Sequence, residues 1–302
     1  MIIVKAYKHL RYFCREIPYI IRANKINARY LDIPAKKNQV NVFQYHPERF
    51  GYNLYQNTPY NLGDSLGEVI IQYLLRQKGL KLDSPTHGTK HLYCVGTNIH
   101  GAYQSATIWG SGIYPPSSRT EALLQRISRR KLDIRAVRGP LTKEQLEKYG
   151  HYCPAVYGDP ATLMPLIYNP DKKKKYDYLV IPQFIGEKAF RESYPTETML
   201  SMNTNDYKHV IDEIVQSRII YTSSLHGIIL AETYGVPVVF FRGLPKFKDF
   251  KYLDYYYSTG RKDIKIAESF EEALTMKPLP LPDHTKMRQD LIDSFPYDLW
   301  EQ

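Results

Sequence analysis

Thr222, Ser223, Ser224 and His226 crowd into five positions, where an apolar run ending at Tyr221 gives way to another opening at Leu225. Hydroxyls in front of a helix can accept from its unpaired first-turn amides, and the helix dipole favours an anion at the same end. An imidazole in that turn adds a group that exchanges protons near neutral pH. At the carboxyl end of a parallel strand, such a turn suits a phosphate or a carboxylate. A second candidate is Asn61-Leu-Gly-Asp64, which opens another apolar helix. Asp64 and Ser65 are natural N-caps there, and Gly63 allows a ligand or a neighbouring chain to come close. Gly110-Ser111-Gly112 is a flexible turn placed where a strand would meet a cleft.

The elements that must hold these residues follow from the apolar pattern. Ile219 to Tyr221 reads as a buried strand, Leu225 to Tyr234 as a helix stopped by Gly235, and Val236 to Phe241 as a second strand. Short β-branched strands flanking a helix mark a βαβ unit of a parallel sheet. The same alternation runs through the chain. Strands are expected at Val40 to Tyr45, Leu92 to Val95, Thr107 to Trp109, Ile134 to Val137, Tyr178 to Pro182 and Thr198 to Met202. Helices are expected from Asn61 to about Lys78, over Glu121 to Arg130, from Pro140 to Tyr149, and over Ile292 to Trp300. Asp159 precedes Pro160 in a tight turn and reads as structural.

Residues 169–175, rich in Pro, Asp and Lys, are the natural linker, with the four consecutive lysines as a solvated loop. Alternation on both sides of it predicts an α/β protein of two Rossmann-like, doubly wound domains facing a cleft. The division is 1–35 as an N-terminal helix, 36–170 as the first α/β domain, 171–280 as the second, and 281–302 as a helix returning to the first.

Lysine and arginine outnumber aspartate and glutamate by 41 to 31, a net charge of +10. That balance points to anionic partners, but no basic stripe with interleaved aromatics reads as a nucleic-acid groove. The three cysteines have neither zinc nor disulfide spacing, which fits a reducing compartment. No run approaches the ~20 apolar residues of a membrane span, and no signal-peptide cleavage pattern follows the N-terminus. A cytoplasmic location is expected. Within 1–30, Ile3, Tyr7, Leu10, Cys14, Ile17 and Ile21 make one apolar stripe set among basic residues. A helix of this kind either lies on an anionic membrane surface, as a peripheral contact, or packs on its own domain.

Six motifs in order resemble the polysaccharide pyruvyl transferase family. They are Asn61-Leu-Gly-Asp64, Gly110-Ser-Gly112, Val137-Arg-Gly-Pro140, Gly158-Asp-Pro160, Ser224-Leu-His-Gly227 and the Lys251 to Arg261 stretch. The resemblance implies a fold like that of two-domain GT-B glycosyltransferases. Phosphoenolpyruvate would be the donor substrate, with a sugar on a surface glycan or its lipid-linked precursor as acceptor and no cofactor or metal. It implies a donor side formed by Arg138, Ser223, Ser224, His226, Lys251 and Arg261, and an acceptor side formed by Asn61, Gly63, Asp64 and Ser111. His226 is then the main acid/base and Asp64 a base toward the acceptor hydroxyl, although each also reads as a helix-capping residue. Family members often carry Arg where this chain has Ser224, and a hydroxyl lacks the bidentate charged grip of a guanidinium. Arg138, Lys251 and Arg261 are the candidates to replace it. Two other classes stay open: a glycosyltransferase using a nucleotide-sugar, and a non-catalytic anion- or sugar-binding protein.

Overall fold

The computed structural model describes residues 36–43, 61–99, 105–117, 130–244 and 248–301, with 120–121, 124–125 and 128. The basic 1–30 stretch and half of the residues of the expected 121–130 helix lie outside the described residues. The first sheet contains β1 (Val40–Phe43), β2 (Lys90–Tyr93), β3 (Ala106–Trp109) and β4 (Leu132–Ala136), all parallel and in chain order. Helix α1 (Leu62–Gln77) precedes β2, and α2 (Pro140–Lys148) follows β4. The second sheet contains β5 (Tyr176–Ile181), β6 (Ser217–Thr222) and β7 (Val238–Phe240), again all parallel. Its helices are α3 (Glu187–Ser193), α4 (Tyr207–Val215), α5 (Leu225–Thr233), α6 (Phe250–Ser258) and α7 (Phe270–Thr275); α8 (Thr285–Asp293) follows.

Both sheets are parallel, as expected of Rossmann-like α/β architecture. They differ in winding. Met199 bridges to Val180 on the outer side of β5, and Ala267 bridges to Phe241 beyond β7. Counting these as outer positions, the second sheet runs 2-1-3-4-5, and its order reverses between β5 and β6. Ligands of open parallel sheets bind at the carboxyl ends of strands beside such a reversal. The described strands of the first sheet run in one direction with no reversal, so its expected double winding is not seen among them. Thr198 to Met202 was expected as a strand and contributes a single bridge.

Helix boundaries bear directly on the site. Helix α1 begins at Leu62, so Asn61 holds the cap position and Asp64 is the third helical residue, not a cap. The expected helix over Ile292 to Trp300 is also corrected: α8 ends at Asp293, and Tyr297–Leu299 is a single 3₁₀ turn. Pro296 has no N–H to continue a helical ladder. Its aromatic neighbours return to the first sheet, with Trp109 edge-on to Phe295 at 4.9 Å and Trp109 Nε1 donating to the Leu291 carbonyl at 3.0 Å. The lysine run is not wholly solvated, because Lys174 Nζ donates to the carbonyls of Val215 (2.9 Å) and Ser217 (2.7 Å) at the end of α4.

One buried apolar cluster joins the two sheets. Leu62, Leu66 and Ile70 of α1 and Ile228 and Ile229 of α5 belong to it, together with Ala161, Leu163 and Met164 of the 3₁₀ segment Pro160–Leu166. At ~1.5–3 kcal/mol for each large side chain removed from water, this packing fixes the N-termini of α1 and α5 against each other. A backbone bond from Leu62 N–H to the Met202 carbonyl, 2.9 Å, adds a direct tie.

Candidate active site

The turn between β6 and α5 is closed by its own hydroxyls. Thr222 Oγ1 donates to the Ile181 carbonyl (2.7 Å) and accepts from Ser224 N (2.9 Å). Ser223 Oγ accepts from Gln183 N at 2.9 Å, and Ser224 caps α5 by accepting from Gly227 N at 3.4 Å. These groups shape the turn, and their acceptor capacity is turned toward protein. His226, the second residue of α5, lies buried beyond them and packs face-on against α1. A Cβ at Gly63 would stand 1.8 Å from His226 Nδ1, so only glycine allows the helix start and the ring to meet.

Two carboxylates flank that ring. Asp64 is buried and receives a hydrogen bond from Asn61 Nδ2 at 3.0 Å. Burial is the largest influence on it and raises its pKa from 3.8 to about 6, against the opposing pull of His226, Asn98 and Lys251. Asp159, completely buried, uses one oxygen to accept from Ala161 N at 3.0 Å. Its other oxygen lies 3.7 Å from His226 Nε2, and neither atom has a hydrogen-bond partner.

Cations approach from the first sheet and from α6. Arg138 follows β4 and is fully buried. Its Nε donates to Asp254 Oδ2 at 3.1 Å and its Nη1 to Thr97 Oγ1 at 2.9 Å, while Nη2 has no partner. Gly112 accommodates it, since a Cβ there would fall 2.3 Å from the guanidinium carbon. Asp254 also accepts from Thr142 N (3.0 Å) and Thr142 Oγ1 (2.6 Å), which fixes α6 to the start of α2. Lys251, one turn before Asp254 on α6, is pushed down to about 8, chiefly by burial and then by the Arg138 charge, with Asp64 opposing. Arg138, Lys251, Asp64, His226 and Asp159 therefore form one cluster, two cations at one end and two carboxylates beside a proton-exchanging ring at the other.

Residues 104–243 match the polysaccharide pyruvyl transferase family. The matched segment holds Gly110-Ser-Gly112, Arg138, Asp159 and the Ser224 to Gly227 motif, whereas Asp64 and Lys251 come from outside it. An uncharacterized protein of Acanthamoeba polyphaga mimivirus is 22% identical over 191 residues, which is 60% of this chain and 64% of that protein's length. No helix among the described residues is long and apolar enough to cross a membrane.

The structure brings together most of the residues that the pyruvyl transferase motifs single out. Asn61, Gly63, Asp64, Arg138, His226 and Lys251 converge. Ser111 stands at their edge in a supporting position: its Oγ donates to the Gly96 carbonyl at 3.1 Å, joining the loops after β2 and β3. Arg261 is directed elsewhere. Its guanidinium forms a two-pronged pair with Glu232 at 2.6 and 2.7 Å, near the opposite end of α5 from His226. Glu232 also accepts from Tyr255 OH at 2.8 Å. Thr97 and Asn98 are supporting residues that sequence reasoning missed, and Asp254 lay within the Lys251 to Arg261 motif without a role assigned to it. A small polar pair after Gly96, where a strand ends, was the available signal for the first two.

Proposed function

We propose that this protein transfers the pyruvyl group of phosphoenolpyruvate to a hexose of a surface polysaccharide or its lipid-linked precursor, closing a ketal. The observation that carries the reading is Arg138 Nη2, a buried guanidinium nitrogen without a protein partner, beside Lys251 and next to the acid/base groups Asp64 and His226. A buried donor of this kind calls for an anion. With Ser224 serving as a helix cap, Arg138 and Lys251 take over the donor grip that family members assign to the Arg at that position. In this reading the two sheets are the halves of a GT-B-like scaffold. The basic 1–30 segment brings the enzyme to an anionic cytoplasmic membrane face where a lipid-linked acceptor is presented.

The chemistry follows from the groups in place. His226 gives a proton to the terminal enol carbon, which becomes a methyl group, and positive charge develops at the neighbouring carbon. An acceptor hydroxyl attacks that carbon, and its proton passes to Asp64, which returns it to His226 before the next turnover. The carbon–oxygen bond to phosphate then breaks, a second hydroxyl of the same sugar attacks, and its proton leaves with the phosphate. Two hydroxyl protons are lost, one to the methyl group and one to phosphate, so the reaction balances. Arg138 and Lys251 hold the carboxylate and phosphate charges throughout.

Incubation with phosphoenolpyruvate and a lipid-linked oligosaccharide tests the proposal. Phosphate release together with a pyruvate ketal on the acceptor supports it. Release of a nucleoside diphosphate from a nucleotide-sugar donor instead would assign the site to glycosyl transfer. No heat of phosphoenolpyruvate binding in calorimetry would leave a binding protein for other anions or sugars.

A further inference from the structure

Asp159 lies in a Gly-Asp-Pro turn, and one of its oxygens has an evident structural task in accepting from Ala161 N at the start of the 3₁₀ segment. That task leaves the second oxygen unexplained. It is fully buried, has no hydrogen-bond partner, and faces His226 Nε2, which is also buried and unpartnered, across 3.7 Å. Two unpartnered, complementary polar atoms facing each other in a buried setting are costly unless they act on one another. At 3.7 Å the pair is slightly too long for a hydrogen bond, and a small movement of either side chain would close it.

We propose that Asp159 is the positioning residue for His226: it holds the proton of the neutral ring on Nε2, leaving Nδ1, on the Gly63 side, as the atom that gives and takes protons. A carboxylate can only accept. Facing Nε2, it therefore selects the Nε2–H tautomer and, when the ring carries two protons, balances the positive charge. The orienting carboxylate of a hydrolase triad acts by the same logic, though through the other ring nitrogen. Asp64, which interacts electrostatically with the same ring, is left for the acceptor proton because Asp159 performs the orienting task. The assignment rests on the pyruvyl-transfer reading only for the destination of the proton, the terminal enol carbon.

Asp159→Asn separates positioning from folding. Asn keeps an oxygen for Ala161 N and is itself a good helix cap, so the turn survives. Its amide would present hydrogens to Nε2, which must then accept, driving the ring proton to Nδ1. The experiment uses the full-length chain with ¹⁵N-labelled histidine at about pH 9, where an ordinary imidazole is neutral; the His226 signals are identified by their loss in His226→Gln. The expected result is an Nε2–H ring in the wild type and an Nδ1–H ring in Asp159→Asn. With it comes a roughly 10²–10⁴-fold fall in kcat and little change in KM for phosphoenolpyruvate, because Arg138 and Lys251 are untouched. An Nδ1–H ring in the wild type, or the same tautomer in both proteins, overturns the proposal. Tautomer inversion in proteins that do not turn over phosphoenolpyruvate would refute the pyruvyl-transfer reading and leave the role of Asp159 standing.

Discussion

Asp64→Asn should make the protein more stable at alkaline pH while removing its activity. Asp64 is almost wholly buried, and its pKa stands near 6 in place of 3.8. A folded-state value above the unfolded one means that the group favours the fold while protonated. That contribution is fully present below about 3.8 and is lost as pH rises through about 6. Holding the carboxylate ionised at pH 8 thus costs about 3 kcal/mol relative to the unfolded chain. Asn is uncharged at every pH and nearly the same shape. It cannot accept from both Asn61 and Asn98 as two carboxylate oxygens can, which takes back ~1 kcal/mol. The balance is a variant about 2 kcal/mol more stable than wild type at pH 8, and no more stable at pH 4. Urea unfolding of both proteins at the two pH values measures this, with equal slopes showing that only stability has changed. A variant less stable than wild type at pH 8 would refute the reasoning. It would mean that the ionised carboxylate is a net stabiliser, held by Lys251 and His226 as a structural ion-pair group rather than kept under tension for chemistry.

The other expectations use the same geometry. Gly63→Ala puts a methyl group 1.8 Å from His226 Nδ1; restoring a normal contact needs a shift of well over 1 Å, which should lower kcat about 10²-fold or more and destabilise by ~1–3 kcal/mol. Unchanged turnover in a folded Gly63→Ala protein would refute the close ring contact. The pH profile of kcat/KM for phosphoenolpyruvate should be bell-shaped, with an acid limb near 6 as Asp64 must ionise to act as base and an alkaline limb near 8 as Lys251 loses its charge. A flat profile from about pH 5 to 9 counts against both assignments. Glu232→Gln leaves Arg261 without its ionised partner in the protein interior and should destabilise by about 3–5 kcal/mol, while phosphoenolpyruvate affinity in calorimetry stays within a few-fold of wild type. A large loss of affinity without loss of stability would return Arg261 to the donor site.

Local chemistry was readable from the chain wherever its causes are local. The strand–turn–helix–strand unit around His226 follows from β-branched runs and from Gly235, which takes the positive φ of 76° that ends α5. Gly79 does the same for α1 at φ 69°. Tertiary causes could not be read this way. Ile292, Phe295 and Trp300 mimic a helical stripe, yet what places the last two is stacking on each other and the contact of Phe295 with Trp109. Arg138 and Arg261 are equally plausible anion ligands in one dimension. What separates them is that Glu232 engages Arg261 with both oxygens, whereas Asp254 takes only the Nε of Arg138 and leaves Nη2 available.

The aspartates carry this furthest. A helix-start aspartate reads as a cap, and so does an aspartate before proline; both readings assign the side chain to its own turn. Asp159 does cap its turn, but with one oxygen only. Asp64 does not cap at all, because α1 starts before it at Leu62, with Asn61 in the cap position. The residue type is the same, and the difference is whether the backbone amide within reach takes neither oxygen, one or both. An oxygen not used in its own turn must find a partner elsewhere: the second oxygen of Asp159 faces the His226 ring, and the oxygens of Asp64 accept from Asn61 and Asn98. Capping accounts for one carboxylate oxygen of the four, so the helix starts and the candidate acid/base site are made by the same residues acting through different atoms.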